Sequence, residues 1–196
     1  MNTKKVLHLL SALASPEPSY NDAYQMFNVI FPRIFWILGL ILAQTLVFNH
    51  IHLLQYATPM PYVYALIMLP HGTARWIYVV LGFALGLVVD TLSNTVGVAA
   101  GALTLVGLIT PLLLRAFAPD DKLEEEFTPS IRTMQWSGFL KFAISVTFLH
   151  MLVFFLLETF SLFDPLRLLI EVLSSTALTV IFMATFEKLR NTSRSA

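Results

Sequence analysis

Cysteine is absent from this chain, which excludes a disulfide, a thiolate metal site and a cysteine nucleophile. Charge is scarce as well. Only 12% of the 196 residues are Asp, Glu, Lys or Arg, against roughly 25% in soluble domains. The formal net charge is zero, so nothing draws the whole chain toward nucleic acid. Gly-x-Ser-x-Gly, His-Glu-x-x-His and Walker-type glycine loops are all missing, which points away from the common hydrolase and nucleotide-binding signatures. No internal repeat, low-complexity tract or ten-residue alternation is present, and the last of these would mark a β-barrel.

What fills the chain is apolar. Hydrophobic residues make up 57% of it, and its mean hydropathy is +0.74. Water is therefore not its main solvent, and an all-α integral membrane bundle is the expected fold class. A crossing needs about 20 mostly apolar residues. Six candidate spans follow, over residues 29–48, 58–69, 74–92, 95–114, 136–157 and 165–186. The second is short and bounded by Pro59, Pro61 and Pro70, so it is expected to be tilted, broken or partly re-entrant. Pro111 lies inside the fourth and should kink it, because its ring meets the carbonyl of Gly107. The fifth is expected to extend backward along the membrane surface after a cap at Thr128. The sixth starts with Asp164 as cap and Pro165 at the first helical position.

Charge placement orients this bundle. With the amino terminus inside, eleven basic residues fall on the cytoplasmic side: Lys4, Lys5, Arg33, Arg75, Arg115, Lys122, Arg132, Lys141, Lys188, Arg190 and Arg194. Arg167 alone falls outside, which by the positive-inside rule puts both termini in the cytoplasm. Residues 1–28 then form a cytoplasmic tail, 29–187 the membrane domain with a cytoplasmic loop over 115–135, and 188–196 a second tail. Within the first tail, Val6, Leu7, Leu10 and Leu13 suit the apolar face of a surface-lying helix rather than a signal peptide.

The stretch richest in information is GFALGLVVDTLSNTVGVAAGALTL, residues 82–105. It places one carboxylate, Asp90, in an apolar run, flanked by the small-xxx-small pairs Gly82/Gly86 and Gly97/Gly101. Each pair is expected to lie on one helix face and admit a close helix neighbour. Asp90 has two readings: a buried carboxylate for a partner, ligand or proton, or a cap for the turn into the next helix, among Thr91, Ser93, Asn94 and Thr95. His50 and His52 have the residue types of a metal pair, but i and i+2 diverge on a helix and no carboxylate lies nearby. His71 and His150 are isolated in sequence, and Glu124, Glu125 and Glu126 read as a solvated face. Glu171, one turn past Arg167, is expected to pair with it. No metal, cofactor or catalytic set is expected.

Gly82, Gly86, Asp90, Asn94, Gly97 and Gly101 together resemble the glycine–aspartate helix and small-residue helix of the rod shape-determining MreD family. The upstream run LVFNHIHLLQYATPMPYVYALIMLP is similar to the same region in one branch of that family, so the resemblance covers residues 38–115. It implies a non-catalytic subunit of the bacterial cell-elongation machinery in the inner membrane. It also implies a bundle similar to the substrate-binding subunits of energy-coupling-factor transporters. The implied partner is MreC, leading on to MreB filaments, the RodA glycosyltransferase and a penicillin-binding transpeptidase. The alternative is a vitamin-binding subunit of an uptake transporter, gripping its ligand with Asp90, Asn94 and the loop near His50. The amino-terminal tail is longer than the family usually carries.

Overall fold

The computed structural model describes residues 37, 39–44, 57–95, 97–122, 127–159 and 164–193. The chain divides into two units, Met1–Leu38 and Gly39–Ala196. The first holds one described residue, the helical Ile37, and all the others belong to the second.

Four helices are long and apolar enough to cross a membrane. They are α1 (Arg75–Ser93), α2 (Val98–Phe117), α3 (Ile131–Thr159) and α4 (Pro165–Ser193). No strand occurs among the described residues. The protein is an all-helical, multi-pass membrane protein. Its outward surface supports this: Val80, Phe83, Leu87, Leu105, Leu108, Leu112 and Ile181 are all exposed, an apolar skin too extensive for water. Nineteen residues of α1 and twenty of α2 span about 29–30 Å, the thickness of the hydrocarbon core.

Consecutive helices pack side by side. Gly86 lies against Ala100 and Gly82 against Leu103, so α1 and α2 run antiparallel. Gly101 meets Leu157 and Gly138 meets Phe117, which reverses α3 against α2. Thr147 donates to the Met183 sulfur and the Ile131 amide to Glu187, which reverses α4 against α3. One end of the bundle thus gathers Arg75, Arg115, Arg132 and Arg190, with the exposed rings of Trp76 and Trp136. The other end gathers Asp90, Glu158, Arg167 and Glu171.

The starts expected for the last four spans fall within about five residues of these helices, while α4 runs seven residues beyond its expected end at Phe186. Asp164 accepts from the Arg167 amide at 3.1 Å, so it caps α4 with Pro165 at the first position. The cap of α3 is Ser130, not Thr128: the Ser130 hydroxyl accepts from the Thr133 amide at 3.1 Å. Thr128 instead offers its carbonyl to the Thr133 hydroxyl. A break at Gln135, with φ 59 and ψ 168, separates the first turn of α3 from the main helix that begins at Trp136. Helix α2 continues without interruption through Pro111.

Against the six spans expected, four crossing helices occur among the described residues. The first span lies largely outside those residues, with a helical stretch over 39–44 described. The second is not a crossing helix. It is a 3-10 turn, Pro61–Val63, followed by one α turn, Tyr64–Ile67, and every residue from Met60 to Ile67 is buried. Three prolines within twelve residues withhold the amide donors a long helix needs.

Irregular backbone at membrane depth must find partners within the protein. Here α4 supplies them. The Ser175 hydroxyl accepts from the Thr58 amide and the Thr179 hydroxyl from the Met60 amide, both at 3.0 Å. Both tyrosines of the segment also find partners. Tyr62 pairs its hydroxyl with His150 Nε2 at 2.9 Å, and Tyr64 donates to Glu187. The segment is thus a buried plug, tied by its polar groups to α3 and α4. Thr179→Val keeps the shape but strands the Met60 amide, which should cost about 1–3 kcal/mol. Thermal melting in detergent checks this, and an unchanged midpoint would show that the hydroxyl is dispensable.

Candidate functional site

Asp90 stands in the last turn of α1 and is only 3% exposed. Its carboxylate reaches across the turn to the start of α2. Oδ1 accepts from the Ala99 amide at 3.0 Å and from the Thr95 hydroxyl, and Oδ2 accepts from the Ala100 amide at 2.8 Å. Helix α2 has no side-chain cap of its own, since Gly97 occupies that position. The carboxylate therefore satisfies two orphan amides and sits at the positive end of the helix dipole. Of the two readings open from sequence, the observed contacts are those of the cap. Asn94 ends α1 in the left-handed conformation, φ 55, and its side chain is exposed rather than turned to Asp90.

The glycines divide differently from their spacing. A Cβ on Gly82 would stand 2.5 Å from the Leu103 carbonyl oxygen, and one on Gly86 would stand 2.3 Å from the Ala100 Cα. Both therefore admit α2 backbone directly against α1. Gly97 precedes α2 at φ 74 with nothing within 4 Å of a Cβ, and Gly101 faces only the Leu157 methyl at 3.2 Å. These two are not a close-approach pair, since only one of them lies within the helix. The residue of α2 that completes the seam is Gly107, whose Cβ would meet the Tyr78 carbonyl oxygen at 2.5 Å. Gly82, Gly86 and Gly107 with Asp90 thus build one rigid helical hairpin.

Beside this hairpin, at the Asp90 end, lies a cavity of about 220 Å³. Gln44, Tyr62, Ser93, Thr95, Phe154 and Glu158 are among the residues that line it. The Gln44 amide donates to the Pro59 carbonyl at 3.3 Å, which fixes one wall. Asp90 does not line the cavity, because its oxygens point to α2, and neither does Asn94. His50 and His52 fall outside the described residues, as do Glu124, Glu125 and Glu126. No group of three His, Cys, Asp or Glu suited to a metal occurs among the described residues.

Sequence reasoning passed over the polar stripe of α4. Glu171, Ser175 and Thr179 recur every fourth residue and are all buried, and Glu187 continues the stripe two turns on. Glu187 accepts from Tyr64 and forms an ion pair with Arg190 at 2.8 Å, and Arg190 also donates to the Pro129 carbonyl at 3.4 Å. The i+4 recurrence of polar residues in an otherwise apolar span was the available signal. Glu171 does pair with Arg167, at 2.9 Å. His150 is fully buried in the core, edge-on to Tyr62. No family model matches this chain, and neither a curated protein nor a solved structure is significantly similar to it.

Proposed function

We propose that this protein is a non-catalytic scaffold of the bacterial cell-elongation complex, acting in rod-shape determination through MreC, as the resemblance to the MreD family implies. One observation supports this reading above others. The residues that carry the resemblance, Gly82, Gly86 and Asp90, are engaged within the α1–α2 hairpin, as a motif serving architecture rather than chemistry would be. In this reading the chain makes six crossings of the inner membrane, the second of them by the broken, buried segment over residues 57–69 rather than by a helix, in a bundle similar to the energy-coupling-factor subunits. Both termini and the basic end of the bundle face the cytoplasm, toward MreB, with RodA and a penicillin-binding transpeptidase reached through the assembly.

With the glycine face closed, a partner helix needs another surface. Trp76, Val80, Phe83 and Leu87 form an exposed stripe along α1 at spacings of four, three and four, the seam spacing that a single neighbouring helix packs against. Tagged protein should recover MreC from membranes, Val80→Trp with Leu87→Trp should reduce that recovery, and depletion should widen cells. Repeated failure to recover MreC, with cell width unchanged, would sink the scaffold.

The cavity beside the hairpin favours a second reading, a vitamin-binding subunit of an uptake transporter. At about 220 Å³ it is smaller than the 300–1,000 Å³ usual for drug-sized ligands, which ranks this reading second. Its ligand would meet Gln44, Tyr62, Thr95 and Glu158 rather than Asp90. A vitamin that copurifies, with an associated ATPase module, would reverse the order.

A further inference from the structure

At the basic end, opposite Asp90, a small hollow of about 60 Å³ opens between the start of α1 and the end of α2. Arg75 and Arg115 both line it, with His71, Gly72 and Thr73 on its rim. Its floor is Tyr78, Pro111 and Leu114, and the Tyr78 hydroxyl is turned away to the Leu69 and Pro70 carbonyls at 3.4 and 3.3 Å. His71 is held in place by its own amide, which donates to the Phe127 carbonyl at 2.7 Å, and by stacking on the Phe127 ring. No carboxylate lines the hollow, and Asp120 and Asp121 are not part of it.

Two arginines line this hollow without a counter-charge. Every other described arginine is engaged: Arg167 with Glu171, Arg190 with Glu187, and Arg132 in contacts of its own. Arg75 and Arg115 have no hydrogen-bond or ion-pair partner among the described residues. The start of α1 adds to this field, since its cap residue Ala74 supplies no side-chain acceptor for the first amides. Forked, positively charged donors at one opening match the oxygens of a phosphate group. Helices α1 and α2 are just long enough to cross the hydrocarbon core, so their ends lie at headgroup depth, and the exposed Trp76 beside the hollow marks the same level.

We propose that the Arg75–Arg115 hollow binds a phosphate group at the membrane surface, supplied by the headgroup of an anionic phospholipid. The site is independent of both functional readings, because neither uses these residues.

Native mass spectrometry of the full-length protein in detergent tests it, titrating phosphatidylglycerol, phosphatidylcholine and inorganic phosphate separately. Phosphatidylglycerol should be retained in preference to phosphatidylcholine. Each of Arg75→Ala and Arg115→Ala should weaken that retention about fivefold. Lys141→Ala removes the same charge from an exposed position outside the hollow and should leave retention unchanged. Because both arginines are exposed, the variants should keep the wild-type melting midpoint. Should either melt early, Arg75→Lys and Arg115→Lys keep the charge but lose the fork, and should still weaken retention. Displacement of the lipid by millimolar inorganic phosphate would keep the phosphate site but reject the lipid as its source. Equal retention of the two lipids, or equal losses in the Lys141 variant, would overturn the proposal.

Discussion

Gly86→Ala is expected to lower the melting midpoint of the detergent-solubilised protein by about 6–12 °C. The added Cβ would stand 2.3 Å from the Ala100 Cα and 2.5 Å from the Ala100 nitrogen. Both are backbone atoms, so no rotamer change relieves the clash and α1 must move away from α2. Overpacking costs about 1–3 kcal/mol, and the backbone obstacle puts this case at the upper end. For a chain of this size each kcal/mol is worth roughly 2–4 °C, which gives the range above. Gly101→Ala is the control. Its Cβ would meet only the flexible Leu157 methyl at 3.2 Å, and alanine gains about 1 kcal/mol of helix propensity over glycine. Its midpoint should hold or rise. If the two variants melt alike, the seam does not run where these contacts put it.

Asp90→Ala is expected to be the other severe change. It removes the acceptor from the Ala99 and Ala100 amides, both of which belong to fully buried residues. Hydrogen bonds to a charged group are worth about 1.5–3 kcal/mol each, and loss of a helix cap costs about 0.5–2 kcal/mol. These overlap, so a total of about 2–4 kcal/mol is expected. Hydrogen exchange localises the effect: the first-turn amides of α2 should lose protection before the middle of that helix. Asp90→Asn keeps one acceptor oxygen and should fall between wild type and alanine. An alanine variant with wild-type melting and first-turn protection would mean that the carboxylate is not holding the helix start. If that variant also failed to recover MreC, Asp90 would be a partner contact instead.

These two predictions show what local sequence can and cannot rank. Gly82/Gly86 and Gly97/Gly101 share one spacing and therefore one expectation. The helix boundary separates them, because α2 begins at Val98 and leaves Gly97 outside in a left-handed turn. Gly107 carried no flag in the sequence, yet it faces the Tyr78 backbone as closely as Gly82 faces Leu103. Asp90 was legible as an acid in an apolar run, and its neighbours marked a turn. That its oxygens would reach residues nine and ten positions on depended on how the hairpin closes.

The segment over residues 57–69 makes the same point about span count. Its apolar composition reads as a crossing, while its prolines read as a break. Neither signal shows that hydroxyls on α4, more than a hundred residues later, would satisfy its amides. Glu187 and Arg190 looked like the charged end of a span because the chain becomes polar there. They are buried or half-buried because Tyr64 and Pro129 reach them from elsewhere in the sequence.

Composition and hydropathy by themselves determined that this protein lives in a membrane as helices. They also located the four long helices to within a few residues, the far end of α4 excepted, since the hydrophobic effect and backbone hydrogen bonding act locally along each span. Tertiary structure alone decided which glycines touch backbone, which polar residues are buried and which arginines are left facing a hollow. Those depend on how each helix is turned toward its neighbours, and that rotation is set by packing between distant parts of the chain.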